Sequence, residues 1–366
     1  MSSEQFETAS TSRRPKDSPF FQQKLPAWQP MYTAKKSAVI FLIFGVIFAP
    51  LGAILLVSSN RLVEYSLDYT DCEKIGTTQS CADVVRLGAT CHCNKSLYLQ
   101  EDISGPVFIY YGLKNFYQNH RRYGRSKSNT QLLGTPMSPD SLSACEPYAS
   151  YTNATSTYAI LPCGAIANSI YNDSFSVVYL PSLNAGNITL HVSTKNVAWQ
   201  SDVDRVFGSL GPDALKNTVK PPNWPKPIDQ RTSNPFKSDE ALMVWMRTAA
   251  LPNFRKLYGQ VVHQGTFKDG LPSGYYAFDI SYNFPVAGFG GRKFLILGTV
   301  GWLGGKNITL GVTCLLTGFV HIALAVAFFI LHVFSVRRLY PFYHPHDFGV
   351  TSESLTLRPK YNRRIT

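Results

Sequence analysis

The sequence predicts a membrane protein: two transmembrane α-helices bracketing a large, mainly antiparallel β-sandwich ectodomain. Three observations predict it. Two long stretches, SAVIFLIFGVIFAPLGAILLVSS (37–59) and LGVTCLLTGFVHIALAVAFFILHVFSV (310–336), contain no Asp, Glu, Lys or Arg. Between them, apolar and polar residues alternate over several segments. The same interval holds every N-x-S/T sequon and six of the seven cysteines.

A bilayer core takes about 20 residues of apolar helix, so both stretches qualify as spans. The first follows 36 mostly polar residues and exceeds a signal-peptide core of about 7–15 residues, so it reads as a retained anchor. Lys35 and Lys36 precede span one and Arg337 and Arg338 follow span two, whereas Arg61 and Lys306 stand alone on the other side. Doubled basic residues stay in the cytosol. The expected order is a cytosolic tail (1–36), span one (37–59), a lumenal or extracellular domain (60–309), span two (310–336) and a second cytosolic tail (337–366). Within the first tail, FFQQKLPAWQPMYT (20–33) mixes aromatic and polar residues and reads as an interfacial segment broken by Pro26 and Pro30.

This topology accounts for the charge. The chain carries 35 Lys and Arg against 23 Asp and Glu, a net +12. Six basic and three acidic residues lie in 1–36, and six and two in 337–366. More than half of the excess therefore sits in two short tails beside the anionic cytosolic leaflet, where each basic residue contributes roughly 1 kcal/mol of attraction. The basic balance thus points to membrane lipids and gives no support to nucleic-acid binding.

The interval between the spans reads as a secreted-type domain. Its sequons are Asn94, Asn153, Asn172, Asn187 and Asn307, the last close to span two, and Asn172 is the favoured acceptor. Cys72, Cys81, Cys91, Cys93, Cys145 and Cys163 can form three bridges in about 15 ways. Cys91 and Cys93 are too close along an extended chain to bridge each other easily. The CHC run at 91–93 also suits zinc, but an oxidising lumen favours disulfides. Cys314, in span two, reads as a small apolar residue.

Strands follow from period-two alternation. In GYYAFDISYNFPV (274–286), Tyr276, Phe278, Ile280, Tyr282, Phe284 and Val286 share one face. Residues 106–113, 174–180, 186–193 and 293–302 also read as strands. GLPSG (270–274), GFGG (288–291) and KPPNWPKP (220–227) supply turns, and a two-sheet sandwich is the natural way to bury such faces.

The basic, aromatic stretch VWMRTAALPNFRKLYG (244–259) reads as a strand over 242–248, ended before Pro252, with NFRKLYG turning into a short helix. Arg247 and Arg255 are expected to pair with carboxylates or carbonyls as scaffold. No phosphate loop or GxSxG elbow occurs. His92, His120, His191 and His263 lack metal-ligand spacing. Asp202 and Asp204 fall on one face if extended, which reads as a solvated strand face in preference to an acid–base pair. His321 and His332 lie within span two, where a polar ring invites a functional reading of His321.

FFQQKLPAWQP (20–30), FYQNHRRY (116–123), PCGAIANSIYNDSF (162–175), KPPNWPKP, VWMRTAALPNFRKLYG and the GWLGGKN stretch (301–307) together resemble the transmembrane protein 30 family, also called the cell cycle control protein 50 family. The likeness runs in order from about residue 12 to 335. It implies a non-catalytic beta subunit, without cofactor or metal, that pairs one to one with a type-IV P-type ATPase phospholipid flippase. Such a subunit serves folding, exit from the endoplasmic reticulum and transport of aminophospholipids. The resemblance also implies passage through Golgi and endosomes to the plasma membrane, and the pairs Cys72–Cys93, Cys81–Cys91 and Cys145–Cys163. Gly45, Gly52, Gly311 and Gly318 are then candidates for packing spans on the ATPase, and Arg13, Arg14 and Lys16 for gripping its cytosolic loops. The alternative is a two-span ligand-gated channel or receptor subunit, whose pore would need Thr313, Thr317 and His321.

Overall fold

The computed structural model describes residues 17–26, 32–181 and 186–339, with side chains to 335. Arg13, Arg14, Lys16, the centre of segment 20–33 and the tail beyond 339 lie outside the described residues. Two units are distinguished: the long helices up to Ile54 and from Leu310, and a β-rich unit, Leu55–Thr309.

In the helical unit, α1 (Ala34–Asn60) and the C-terminal helix (Ile308–Leu339) are each long and apolar enough to cross a membrane. Their closeness depends on glycine. A Cβ on Gly52 would lie 2.5 Å from the Leu315 backbone nitrogen, and one on Gly318 equally close to that of Ala49. A Cβ on Gly45 would strike Ile322 at 2.6 Å. These three glycines, expected to serve an outside partner, are spent on this chain's own helix pair, where small residues let backbones approach. Gly311 is also buried. Phe41 stacks on Phe328 with centroids 5.5 Å apart.

The β unit holds two main sheets. Strands β1 (Glu64–Asp68), β2 (Cys91–Leu99), β3 (Val107–Lys114), β4 (Ser174–Leu180), β5 (Ile188–Leu190), β6 (Val192–Ser193), β7 (Phe254–Val261), β8 (Gly274–Tyr282) and β9 (Arg292–Thr299) supply them. One sheet has the order β1-β9-β3-β7-β6 and the other β2-β8-β4-β5, all pairs antiparallel. Among the described residues, the single parallel pair joins the short strands 218–219 and 157–160 in a separate small sheet.

The period-two reading of β8 identifies its inner face. Tyr276, Phe278, Ile280 and Tyr282 are fully buried, and Tyr275 and Asp279 are exposed. Phe284 and Val286 stay buried after the strand has ended at Tyr282. Rings from the two sheets meet directly: Phe175 of β4 lies edge-on to Tyr258 of β7 at 4.9 Å. The expected strand 293–302 stops at Thr299, and 186–193 breaks into β5 and β6.

The largest correction falls on VWMRTAALPNFRKLYG. Its first part is helical, Glu240–Met246, and its second part is β7. Leu242, Met243, Trp245 and Met246 are all buried, which is helical spacing. Asp239 caps the helix by accepting from the Leu242 N–H at 3.0 Å. The following FRKLY is aromatic and alternating, which suits a strand. Asp202 and Asp204 also lie on a helix, Gln200–Arg205, where positions two apart do not face each other.

Candidate functional site

The sequence motifs meet around one helix. The Trp245 indole donates to the Ile166 carbonyl at 2.8 Å, and the Trp224 indole to the next carbonyl, Ala167, at 2.6 Å. PCGAIANS, KPPNWPKP and VWMRT are thereby locked together by two tryptophan N–H groups that need partners once buried. FYQNHRRY joins them. Gln118 Oε1 accepts from the Ala249 N–H at 2.9 Å, Tyr123 hydrogen-bonds Ser169 at 2.9 Å, and the Phe116 ring packs 5.7 Å from Trp245.

Charged groups in this region serve backbone ends. Glu240 accepts from the N–H groups of Asn196, Val197 and Ala198 at 2.6–2.9 Å. Buried Lys256 donates to the carbonyls of Val244, Trp245 and Arg247 at 2.6–2.9 Å, satisfying the C-terminal end of helix 240–246. Burial pulls Lys256 down to about 7. The three carbonyls pull the other way, because an ammonium offers three donors and an amine two. Lys256→Met should cost about 1–3 kcal/mol through orphaned carbonyls, read as a lower unfolding temperature of the detergent-solubilised protein. An unchanged temperature would show that water caps the helix equally well.

The two arginines differ. Arg247 forks onto Asp202 at 3.0 and 3.1 Å and covers the exposed Trp199 ring at 4.7 Å. That contact is largely solvated and contributes little. Arg255 reaches Glu64 of β1 at 2.5 Å and lies over Tyr110 at 5.3 Å. Its guanidinium also rests on Gly305, where a Cβ would come within 2.4 Å, so this motif braces GWLGGKN as well.

A second cluster is sealed completely. Lys293 and Asp173 are both fully buried and pair at 2.6 Å. Lys293 also donates to the Phe284 carbonyl at 2.8 Å and sits 3.0 Å from the Tyr282 ring centroid. Asp173 accepts from Tyr69 at 2.8 Å, and from the N–H groups of Asn283 and Phe284, each at 2.6 Å. Burial pulls Lys293 down to about 8, against the opposing pull of Asp173, and pushes the Tyr69 and Tyr171 hydroxyls well up. With no solvent access, this cluster fastens strands and cannot meet a substrate. Sequence reading passed over it, although the signal was present. Lys293 shares its strand face with Leu295 and Leu297, and an inward lysine demands a buried partner.

The remaining candidate residues are dispersed. Disulfides join Cys72 to Cys93, Cys81 to Cys91 and Cys145 to Cys163, with Cα–Cα separations of 6.1, 5.5 and 5.7 Å. The first two lie side by side, so three sulfurs gather within 4.8 Å; bonded in pairs, they carry no thiolate for a metal. His92 projects outward. His263 is held between the Phe267 carbonyl (2.8 Å) and the Val107 N–H (3.3 Å). Asn94, Asn153, Asn172, Asn187 and Asn307 are all exposed. In the helical unit, His321 bonds the Thr317 carbonyl at 2.7 Å and packs against Phe41, Phe44 and Phe48.

A family model described as the LEM3 (ligand-effect modulator 3) family / CDC50 family matches residues 55–338. The chain is 38% identical over 342 residues to "Cell cycle control protein 50B" of Homo sapiens, covering 88% of this chain and 96% of that protein. It is 40% identical over 337 residues to "Cell cycle control protein 50A" of Bos taurus, covering 89% and 90%. It is 38% identical over 343 residues to "ALA-interacting subunit 3" of Arabidopsis thaliana, covering 90% and 89%. The motifs that interlock around Trp245 thus lie within a stretch matched both by the family model and by relatives from animals and a plant, and the chain belongs to the LEM3/CDC50 family.

Proposed function

We propose that this chain is the non-catalytic beta subunit of a type-IV P-type ATPase phospholipid flippase. It binds the ATPase one to one and supports its folding, its exit from the endoplasmic reticulum and its transport of aminophospholipids to the cytosolic leaflet. The observation that carries this reading is family membership extending from the β unit through the second span, in a family with a member named as an interacting subunit. The chemistry agrees: Lys256, Lys293, Asp173 and Glu240 are consumed by the scaffold. In this reading the ectodomain is lumenal, both termini are cytosolic, the five sequons are available to glycans, and the complex travels through Golgi and endosomes to the plasma membrane.

The channel reading is the weaker one. Thr317 gives its hydroxyl to the Thr313 carbonyl at 2.8 Å and His321 bonds the Thr317 carbonyl, so the polar stripe is spent on its own helix. The test is purification of the native complex followed by a lipid-stimulated ATPase assay. A large ATPase at a one-to-one ratio is expected. Loss of this chain should retain the ATPase in the endoplasmic reticulum and slow uptake of fluorescent aminophospholipids several-fold. A homotrimer carrying current, or an ATPase fully active and delivered without this chain, would overturn the proposal.

A further inference from the structure

We infer that the hairpin Gly301–Gly304 is a lipid-contacting wedge, in which Trp302 and Leu303 enter the headgroup–acyl boundary of the leaflet on the ectodomain's side. The hairpin is tight. Gly301 and Gly304 exchange both backbone hydrogen bonds, at 2.9 and 3.0 Å, leaving Trp302 and Leu303 as its two-residue tip. Gly304 sits at φ +103°, a conformation that side chains rarely adopt. Two-residue tips normally carry polar or turn-forming residues. Here both are large and apolar, and they remain 72% and 52% exposed.

Position says what covers them. The last turn of α1 and the first residues of the C-terminal helix belong to the same unit as the hairpin. The Asn307 N–H donates to Ser59 Oγ at 2.9 Å, tying the last turn of α1 to the residue before the C-terminal helix. From there Val63 and Thr299 are cross-linked by two hydrogen bonds at 3.0 and 3.1 Å, and β1 runs antiparallel to β9. The hairpin is inserted between the end of β9 and the helix. A Cβ on Gly301 would meet Leu62 at 3.4 Å, two residues beyond α1, and Arg255 braces Gly305 on the other flank. The hairpin is therefore held within the β unit beside Leu62 and the Ser59–Asn307 bond, a few residues along the chain from both apolar stretches of bilayer length.

That is the level of lipid headgroups, where Trp gains by placing an apolar ring beside a wet edge. Arg61, which is exposed, and Lys306, which is partly so, flank the hairpin and complement lipid phosphates. The reciprocal backbone bonds lower the cost of dipping a turn into the interface, since its polar groups arrive partly satisfied. Lipid is thus favoured as occupant over a protein partner.

The test uses the full chain in vesicles of phosphatidylcholine and phosphatidylserine, with and without dibrominated phosphatidylcholine, whose bromines quench nearby tryptophans. Trp28, which precedes span one in the sequence, is first replaced (Trp28→Phe). Trp224 and Trp245 are buried within the β unit, and the exposed Trp199, under Arg247, is common to both variants. Bromolipid should quench the emission of Trp28→Phe, and Trp28→Phe/Trp302→Phe should lose more than half of that quenching with unchanged elution on gel filtration. Equal quenching in the two variants, or none in either, would overturn the inference. So would quenching that vanishes once the co-purified partner is present, because the tip would then be covered by protein.

Discussion

Asp173→Ala is expected to abolish the native ectodomain. The substitution leaves the Lys293 ammonium at 0% exposure without its counter-ion, and it orphans the N–H groups of Asn283 and Phe284 and the hydroxyl of Tyr69. Removing one partner of a buried ion pair costs about 3–5 kcal/mol, and the orphaned donors add to it. Total stabilities are about 5–15 kcal/mol, so most of the margin disappears. Lys293→Met should behave alike, because it leaves the Asp173 carboxylate fully buried without its ion-pair partner. Asp173→Asn/Lys293→Met should recover part of the loss, since the asparagine oxygen can still accept from Asn283 and Phe284. Thermal unfolding of the purified protein and glycan maturation in cells report the outcome. If the single variants melted with the wild type, the cluster would not be a structural fastening.

Cys145→Ser and Cys163→Ser should also be severe. The bond spans a sequence separation of 18 residues, and closing a loop of that size stabilises by about 3 kcal/mol in the chain-entropy model. It also holds a satellite core of Leu142, Ala149, Ala159 and Ile160, separate from the main one. Gln131 staples this region by donating to the Ile160 carbonyl at 3.0 Å and accepting from the Cys163 N–H at 2.9 Å. Both variants are expected to stay in the endoplasmic reticulum with immature glycans, whereas Cys314→Ser should mature normally. Normal delivery of both cysteine-pair variants would mean that the satellite core and Gln131 hold this segment without the disulfide.

Much of the architecture is legible in the residues alone, for identifiable reasons. A run of 23 uncharged residues such as 37–59 has few stable places except a bilayer. Alternation over nine residues can satisfy only one face of a strand, so Tyr276, Phe278, Ile280 and Tyr282 declare themselves. The motif 244–259 was legible in role and misread in form. Arg255 does pair with a carboxylate and Arg247 with Asp202, yet the strand and helix exchange places. A short window such as LMVWM fits either period, and the cap at Asp239 decides for the helix.

By itself, the sequence determined what depends on local composition and period: two spans, a β-rich domain between them, several of its strands and the family that its motifs mark. Only the tertiary structure decided which charges are interior and what they hold. Asp173 and Lys293 are 120 residues apart, Arg255 and Glu64 are 191 apart, and no local pattern couples positions so distant. It also decided that Gly45, Gly52 and Gly318 serve the chain's own helix pair, that Gly301 packs on Leu62 and that Asn307 bonds Ser59. The physical reason is the same in each case. Burial is a property of the whole packed chain, and the cost of an unpaired buried charge or an unaccommodated Cβ arises only when remote segments close on it.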